Sequence, residues 1–249
     1  MGGTYTMNYE ALLFEKKDGI AIITLNSPDK MNAISTAMKA SIAAAADEVD
    51  KDETIKVAIL TGAGRGFCAG HDISEMAAGT AKAPTTYDLL NTANNEACFY
   101  KMQKPVIAAI NGACVGAGLA LALSCDIRIA ADTAKIGSAY AKLGAAPGLG
   151  MTYWLPKIIG PAAALEFMFT AKIVLGPEAK AMGLVNQVVP AADLMKASME
   201  MAATIAQYPT LGIALTKKLV YRSMLEDVTN HYDWEKWAAQ LTMAAMMKK

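Results

Sequence analysis

Residues 57–76, VAILTGAGRGFCAGHDISEM, decide how this chain folds. Val57-Ala58-Ile59-Leu60 is a short apolar run, the pattern of a strand buried on both faces. Gly62, Gly64, Gly66 and Gly70 then break it, and Asp72 opens a segment that reads as helix. A strand that turns through glycines into a helix leaves bare backbone N–H groups at a positively polarised helix end. Such an end holds anions. Two kinds fit: a phosphate held at rest, or a negative charge that forms only during a reaction.

The pattern recurs downstream. Pro105-Val-Ile-Ala-Ala-Ile reads as a second buried strand, and NGACVGAG from Asn111 as a second glycine turn. Leu119 to Leu123 continues as helix, and Asp126-Ile-Arg-Ile-Ala returns as strand before Lys135-Ile136-Gly137. Upstream, Ala11–Glu15 and Ile20–Leu25 flank Lys17-Asp18-Gly19, a hairpin signal. Ser27–Ala33 is a loop, and Ser35 caps a helix to about Val49. Gly79–Thr86 reads as a loop and Tyr87–Met102 as a helix. Beyond Met151 the pattern is mostly helical, punctuated by Pro156, Gly160-Pro161, Gly176-Pro177, Pro190 and Pro209. Alternation followed by helices predicts an α/β fold with a helical C-terminal subdomain. The expected division is a core over residues 1–190 and a helical region, for subunit contact or a lid, over 191–249.

Composition removes several function classes. The 249 residues are 54% hydrophobic and 18% charged, enough to bury one large core. The 23 basic and 23 acidic residues balance, which argues against a nucleic-acid partner. Cys68, Cys98, Cys114 and Cys125 have no CxxC spacing and read as buried thiols of a reducing cytoplasm. No membrane span, leader or metal-ligand spacing is evident. There is no GxxxxGK[ST], and GAGRGF at 62–67 lacks the full dinucleotide fingerprint, so a resting phosphate is weakly supported.

Residues 57–76 together with NGACVGAGLALALSCD (111–126) resemble the crotonase superfamily, the enoyl-CoA hydratase/isomerase family. Ser27-Pro28, Asn32-Ala33, Lys104-Pro105-Val106, Gly144, Pro147-Gly148 and AKAMGLVNQVV (179–189) extend the resemblance over about residues 9–225. It implies a repeated ββα spiral core, a trimer or dimer of trimers, and an acyl-CoA thioester as ligand, with no cofactor beyond that coenzyme A. It also implies that the backbone N–H groups of His71 and Ala117 hold the thioester oxygen as it becomes an enolate. Ala117 stands where the family most often has glycine. The substrate-binding set carried over comprises Lys30, Ala33, Cys68, Ala69, Gly70, Asp72, Ile73 and Gly116, with Lys30 or Arg65 as phosphate partners.

Two departures change the expected chemistry. The family's hydratases use two glutamates to activate water and protonate carbon; these positions are Ala120 and Tyr140 here. Alanine transfers no proton, and a phenol with a pKa of about 10 is a poor base near neutrality. Ala69-Gly70-His71-Asp72 resembles crotonases that decarboxylate malonyl-type thioesters, a reaction that needs no base. A β-dicarbonyl hydrolase using His71 or Tyr140 is a second expectation, a hydratase or isomerase using non-standard acid/base residues a third, and acyl-CoA binding without turnover a fourth. Peptide hydrolysis on the related Clp-type fold is disfavoured, because Ser124 and Ser138 lack a nucleophile turn near histidine.

Each of these residues also has a plainer reading. His71 serves through its backbone alone, Tyr140 is a pocket wall, Asp72 caps a helix and Asp126 ties the chain together. Tyr232, Trp234 and Trp237 form an aromatic packing cluster, His231 is at the surface, and Met243, Met246 and Met247 cover a partner subunit or an acyl tail.

Overall fold

The structure is a computed structural model that describes residues 5–72, 74 and 99–224. The hairpin forms as read: β2 (Leu12–Lys17) and β3 (Ile20–Leu25) pair antiparallel, with Asp18 and Gly19 both at positive φ in the connecting turn. β1 (Tyr5–Asn8) adds to β2. Helix α1 (Thr36–Lys51) starts where Ser35 accepts a hydrogen bond from the Met38 N–H. The loop before it contains a short 3₁₀ turn at Pro28–Lys30.

From residue 57 the chain repeats one unit three times. A long strand enters a large sheet, a glycine or polar turn follows, and a short strand enters a small sheet. The pairs are β4 (Val57–Gly62) with β5 (Gly66–Cys68), β6 (Val106–Ile110) with β7 (Ala113–Val115), and β8 (Ile127–Ala131) with β9 (Lys135–Gly137). Helix α2 (Ala117–Leu123) leaves β7 and leads into β8. Two strands at Ile173–Leu175 (β10) and Gln187–Val189 (β11) complete the sheets, in a region whose pattern predicted mostly helix. Each is three residues long, too short for a period of two to register against the flanking helices. The large sheet runs β1-β2-β3-β4-β6-β8-β11 and the small one β10-β9-β7-β5. From β3 to β11 the large sheet is parallel, as are β5, β7 and β9.

A parallel sheet is stable when both faces are covered, and here both are. One face of the large sheet carries Ala58, Leu60, Ala108 and Ile110, and belongs to a core shared with α1, α2 and the small sheet. The other carries Val57, Ile59, Ile107, Ala109 and Ile129 against Leu194 and Ala202 of helix α6 (Leu194–Ala206). Each fully buried Val, Ile or Leu contributes about 1.5–3 kcal/mol relative to exposure. The remaining helices are α3 (Met151–Ile159), α4 (Pro161–Phe169), α5 (Gly176–Ala181) and α7 (Thr210–Ser223).

The predicted 87–102 helix is described only at its end, where Phe99–Lys101 is a 3₁₀ turn rather than α-helix. Its earlier part lies outside the described residues, as do Ile73, residues 79–86, Cys98, His231, Tyr232, Trp234, Trp237, Met243, Met246 and Met247. No described helix is long and apolar enough to cross a membrane, and no metal-ligand cluster occurs among the described residues.

Candidate active site

Because β5, β7 and β9 are parallel neighbours in the order β9-β7-β5, their C-terminal ends fall together on one side. His71 follows β5, Ala117 follows β7 and Tyr140 follows β9. Topology therefore sets Ala117 between the other two.

Close contacts confirm the convergence. A Cβ built on Gly70, at φ +113°, would stand 3.8 Å from the Ala117 nitrogen and 3.3 Å from the Val115 carbonyl oxygen. A Cβ on Gly116 would stand 3.9 Å from Cε2 of the Tyr140 ring. Only glycine takes Gly70's backbone angle without strain, which is why this turn needs it.

Ala117 opens helix α2, so its N–H is one of the first-turn amides that an α-helix leaves without an intrahelical acceptor. Gly116 N–H instead donates to Gly137 O at 2.9 Å, tying the turn to β9. His71 forms an isolated parallel bridge with Ile34. Ile34 N–H donates to Gly70 O at 2.7 Å, and Asp72 N–H donates to Ile34 O at 3.1 Å. Since successive residues of an extended chain present their amides to opposite edges, the His71 N–H lies on the edge away from Ile34.

The turn between β4 and β5 is held by two asparagines. Asn32 Nδ2 donates to Ala63 O (2.9 Å) and Gly66 O (2.8 Å), and Asn111 Nδ2 donates to Gly62 O (2.9 Å) and Gly64 O (3.1 Å). Both asparagines lie within the sequence motifs, which assign neither of them a role. The available signal was a polar side chain in an apolar neighbourhood beside each glycine turn.

Other carried-over residues fall as follows. Lys30 is exposed, and its ammonium donates to Asp72 Oδ2 at 2.7 Å and to Ser74 Oγ at 3.3 Å. That ammonium holds the Asp72 carboxyl down to about 2. Asp72 Oδ1 also accepts from the Ser74 N–H at 2.9 Å, and the helix it was expected to cap lies, beyond Ser74, outside the described residues. Ala33 is half-buried, Ala69 exposed and Gly116 buried. Cys68 is fully buried, and burial pushes its thiol up to about 12, so it is a packing group rather than a nucleophile. Ser124 Oγ is spent on Leu121 O at 2.7 Å. Ala120 is fully buried on α2. Among the described residues, two cavities of about 390 and 880 Å³ share Trp154, Lys217 and Tyr221, and neither is lined by His71, Ala117 or Tyr140.

Comparison with known proteins agrees with this architecture. The enoyl-CoA hydratase/isomerase family model matches residues 15–245. The chain belongs to that family, within the crotonase superfamily, and is an acyl-CoA-processing enzyme. It is 39% identical over 217 residues to a probable enoyl-CoA hydratase of Mycobacterium tuberculosis, covering 87% of this chain and 83% of that one. It is 34% identical over 230 residues to the 1,2-epoxyphenylacetyl-CoA isomerase of Escherichia coli, covering 91% and 88%. An enoyl-CoA hydratase subunit structure from Geobacillus kaustophilus superposes with a TM-score of 0.89 at 35% identity, covering 96% and 91%.

Proposed function

We propose that this enzyme generates an enolate from a CoA thioester by releasing CO₂ from a malonyl-type substrate, not by glutamate-driven hydration. The observation that carries this reading is the pair Ala120 and Tyr140 at the two glutamate positions, beside the turns that bring His71 and Ala117 together. Amides of His71 and Ala117 would face the thioester oxygen, where removing one such donor typically costs about 10²–10³ in rate.

The step balances without a base. The bond from Cα to the carboxylate breaks, its electron pair forms the enolate, and CO₂ departs. A proton is then delivered to Cα, from water or from the His71 or Tyr140 side chain. A site carrying two glutamates would repel the substrate carboxylate, whereas Ala120 and Tyr140 carry no such charge. Lys30 is engaged with Asp72, which favours Arg65, exposed on the glycine turn, as the side chain for a coenzyme phosphate.

Trimeric assembly is part of the same proposal. Leu143, Phe169 and Leu175 are 69%, 74% and 50% exposed, which supports burial against another copy. Light scattering of the wild type and Phe169→Glu tests this, with a smaller particle expected for the variant.

The chemistry is tested by incubating the protein with malonyl-, methylmalonyl-, β-ketoacyl- and crotonyl-CoA and following products by mass spectrometry. Decarboxylated thioester is the expected product. Rapid hydration of crotonyl-CoA would overturn the reading, and saturable binding without any product would establish a non-catalytic acyl-CoA binder instead.

A further inference from the structure

We infer that Asn32 is a positioning residue that couples the 30–34 loop to the turn carrying the His71 amide; this rests on the CoA-thioester reading above. Asn32 is fully buried and sits at φ +54°, directly after Met31 at φ +53°. Two consecutive left-handed residues fold the loop sharply, and asparagine tolerates that conformation better than most side chains.

The loop then runs alongside residues 69–72. Met31 O accepts from Ala69 N–H at 3.0 Å, Gly70 O accepts from Ile34 N–H, and Ile34 O accepts from Asp72 N–H. Asn32 lies inside this strap but directs its side chain elsewhere. Its Oδ1 accepts from Ser27 N–H at 2.9 Å, and its Nδ2 reaches Ala63 O and Gly66 O. A Cβ on Gly62 would stand 2.7 Å from Nδ2, so the fit is close. β5 is thereby fixed at both ends: the Asn32 amide holds its start at Gly66, and the strap holds the residues beyond its end at Cys68. Movement of the 30–34 loop on binding the coenzyme reaches residues 69–72 through the strap's backbone bonds, and the buried Asn32 side chain carries the same movement to Gly66, so that β5 and the turn beyond it shift as one unit. Binding energy from the non-reacting handle would then be expressed as placement of the His71 amide.

Asn32→Gly tests this, since glycine keeps the left-handed backbone and removes the amide. Hydrogen exchange of peptides spanning residues 66–72 is measured with and without free coenzyme A, alongside calorimetric binding of coenzyme A and thermal unfolding. Coenzyme A is expected to slow exchange there in the wild type and not in Asn32→Gly, although the folded variant still binds it. On the thioester that turns over, kcat is expected to fall about ten- to hundred-fold while KM changes within about three-fold. Equal protection of 66–72 in both proteins overturns the inference while leaving the functional reading intact. A wild type that does not bind coenzyme A overturns both. Asn32→Asp provides a second variant: it keeps the shape but sets a carboxylate oxygen against Ala63 O and Gly66 O, and the same uncoupling is expected.

Discussion

The Lys30 ammonium donates to the Asp72 carboxylate at 2.7 Å, joining the loop expected to hold coenzyme to the turn expected to hold the oxyanion. Lys30 is about half exposed and Asp72 is buried. The sign of the pH dependence follows from Asp72. Its folded-state pKa, about 2, is below the ordinary carboxylate value of 3.8. The pair therefore contributes stability that is fully present above about pH 4 and is lost as pH falls toward 2. Lys30→Met is expected to lower the melting temperature at pH 6 and to match the wild type near pH 2, read by circular dichroism. Lys16 holds Asp52 down to about 2 in the same way, so Lys16→Met serves as the control remote from the site.

Gly118 sets how closely α2 approaches β5. A Cβ there would stand 2.0 Å from Cys68 O and 2.8 Å from Cys68 Cβ. Backbone must move to admit it, and the movement separates the two turns. Gly118→Ala is expected to cost about 3 kcal/mol, the upper end of overpacking penalties. Gly212 in α7 provides the contrast, because a Cβ there meets nothing within 4 Å. Gly212→Ala is expected to stabilise by about 0.5–1 kcal/mol through helix propensity. Urea unfolding of the two variants measures both signs.

The strand and glycine-turn unit was legible because it is written twice in similar chemistry, an apolar run followed by glycines at 57–70 and at 106–118, whereas the spiral that joins the units followed only from the family resemblance. Both glycine turns and the Ser35 cap could be placed from residue type alone. The third repeat was only partly legible. Val57–Leu60 and Val106–Ile110 end in glycine turns, whereas β8 turns through Asp132-Thr133-Ala134, where no glycine marks the break. Lys30 shows a different limit. A basic residue in a loop reads equally as a phosphate ligand or as solvated surface, and its actual partner lies 42 residues away in sequence. Asn32 shows the same: its backbone angle and its acceptors at Ala63 and Gly66 exist only once β4 and β5 have folded.

Ala139, directly before Tyr140, sits at φ +59°. Left-handed geometry costs a non-glycine residue about 1–2 kcal/mol, while glycine adds about 0.5–1 kcal/mol of chain entropy to be lost on folding. Ala139→Gly is thus expected to stabilise modestly, raising the melting temperature by about 1–4 °C for a chain of this length. A fall in melting temperature by calorimetry would show that the alanine methyl has packing worth more than the strain.

Asp126 provides the largest expected effect. Its Oδ1 accepts from Tyr221 OH at 2.8 Å, and its Oδ2 accepts from Val106 N–H at 2.7 Å and pairs with Lys217 Nζ at 2.8 Å. Lys217 is buried and also donates to Phe99 O and Lys104 O. Burial, with the Asp126 charge beside it, pushes the Tyr221 hydroxyl well above its ordinary pKa. The cluster pins α7 to the start of β6, which is the tying role read from sequence. Asp126→Ala strips from a buried ammonium its carboxylate partner among the described residues and is expected to cost about 3–5 kcal/mol. Lys217→Met should cost less, because Asp126 keeps two hydrogen bonds. Asp126→Ala with Lys217→Met should then cost less than the sum of the singles, since no uncompensated charge remains. Denaturant unfolding of the four proteins measures that coupling. A strictly additive double variant would mean that the ammonium is held by the carbonyls alone.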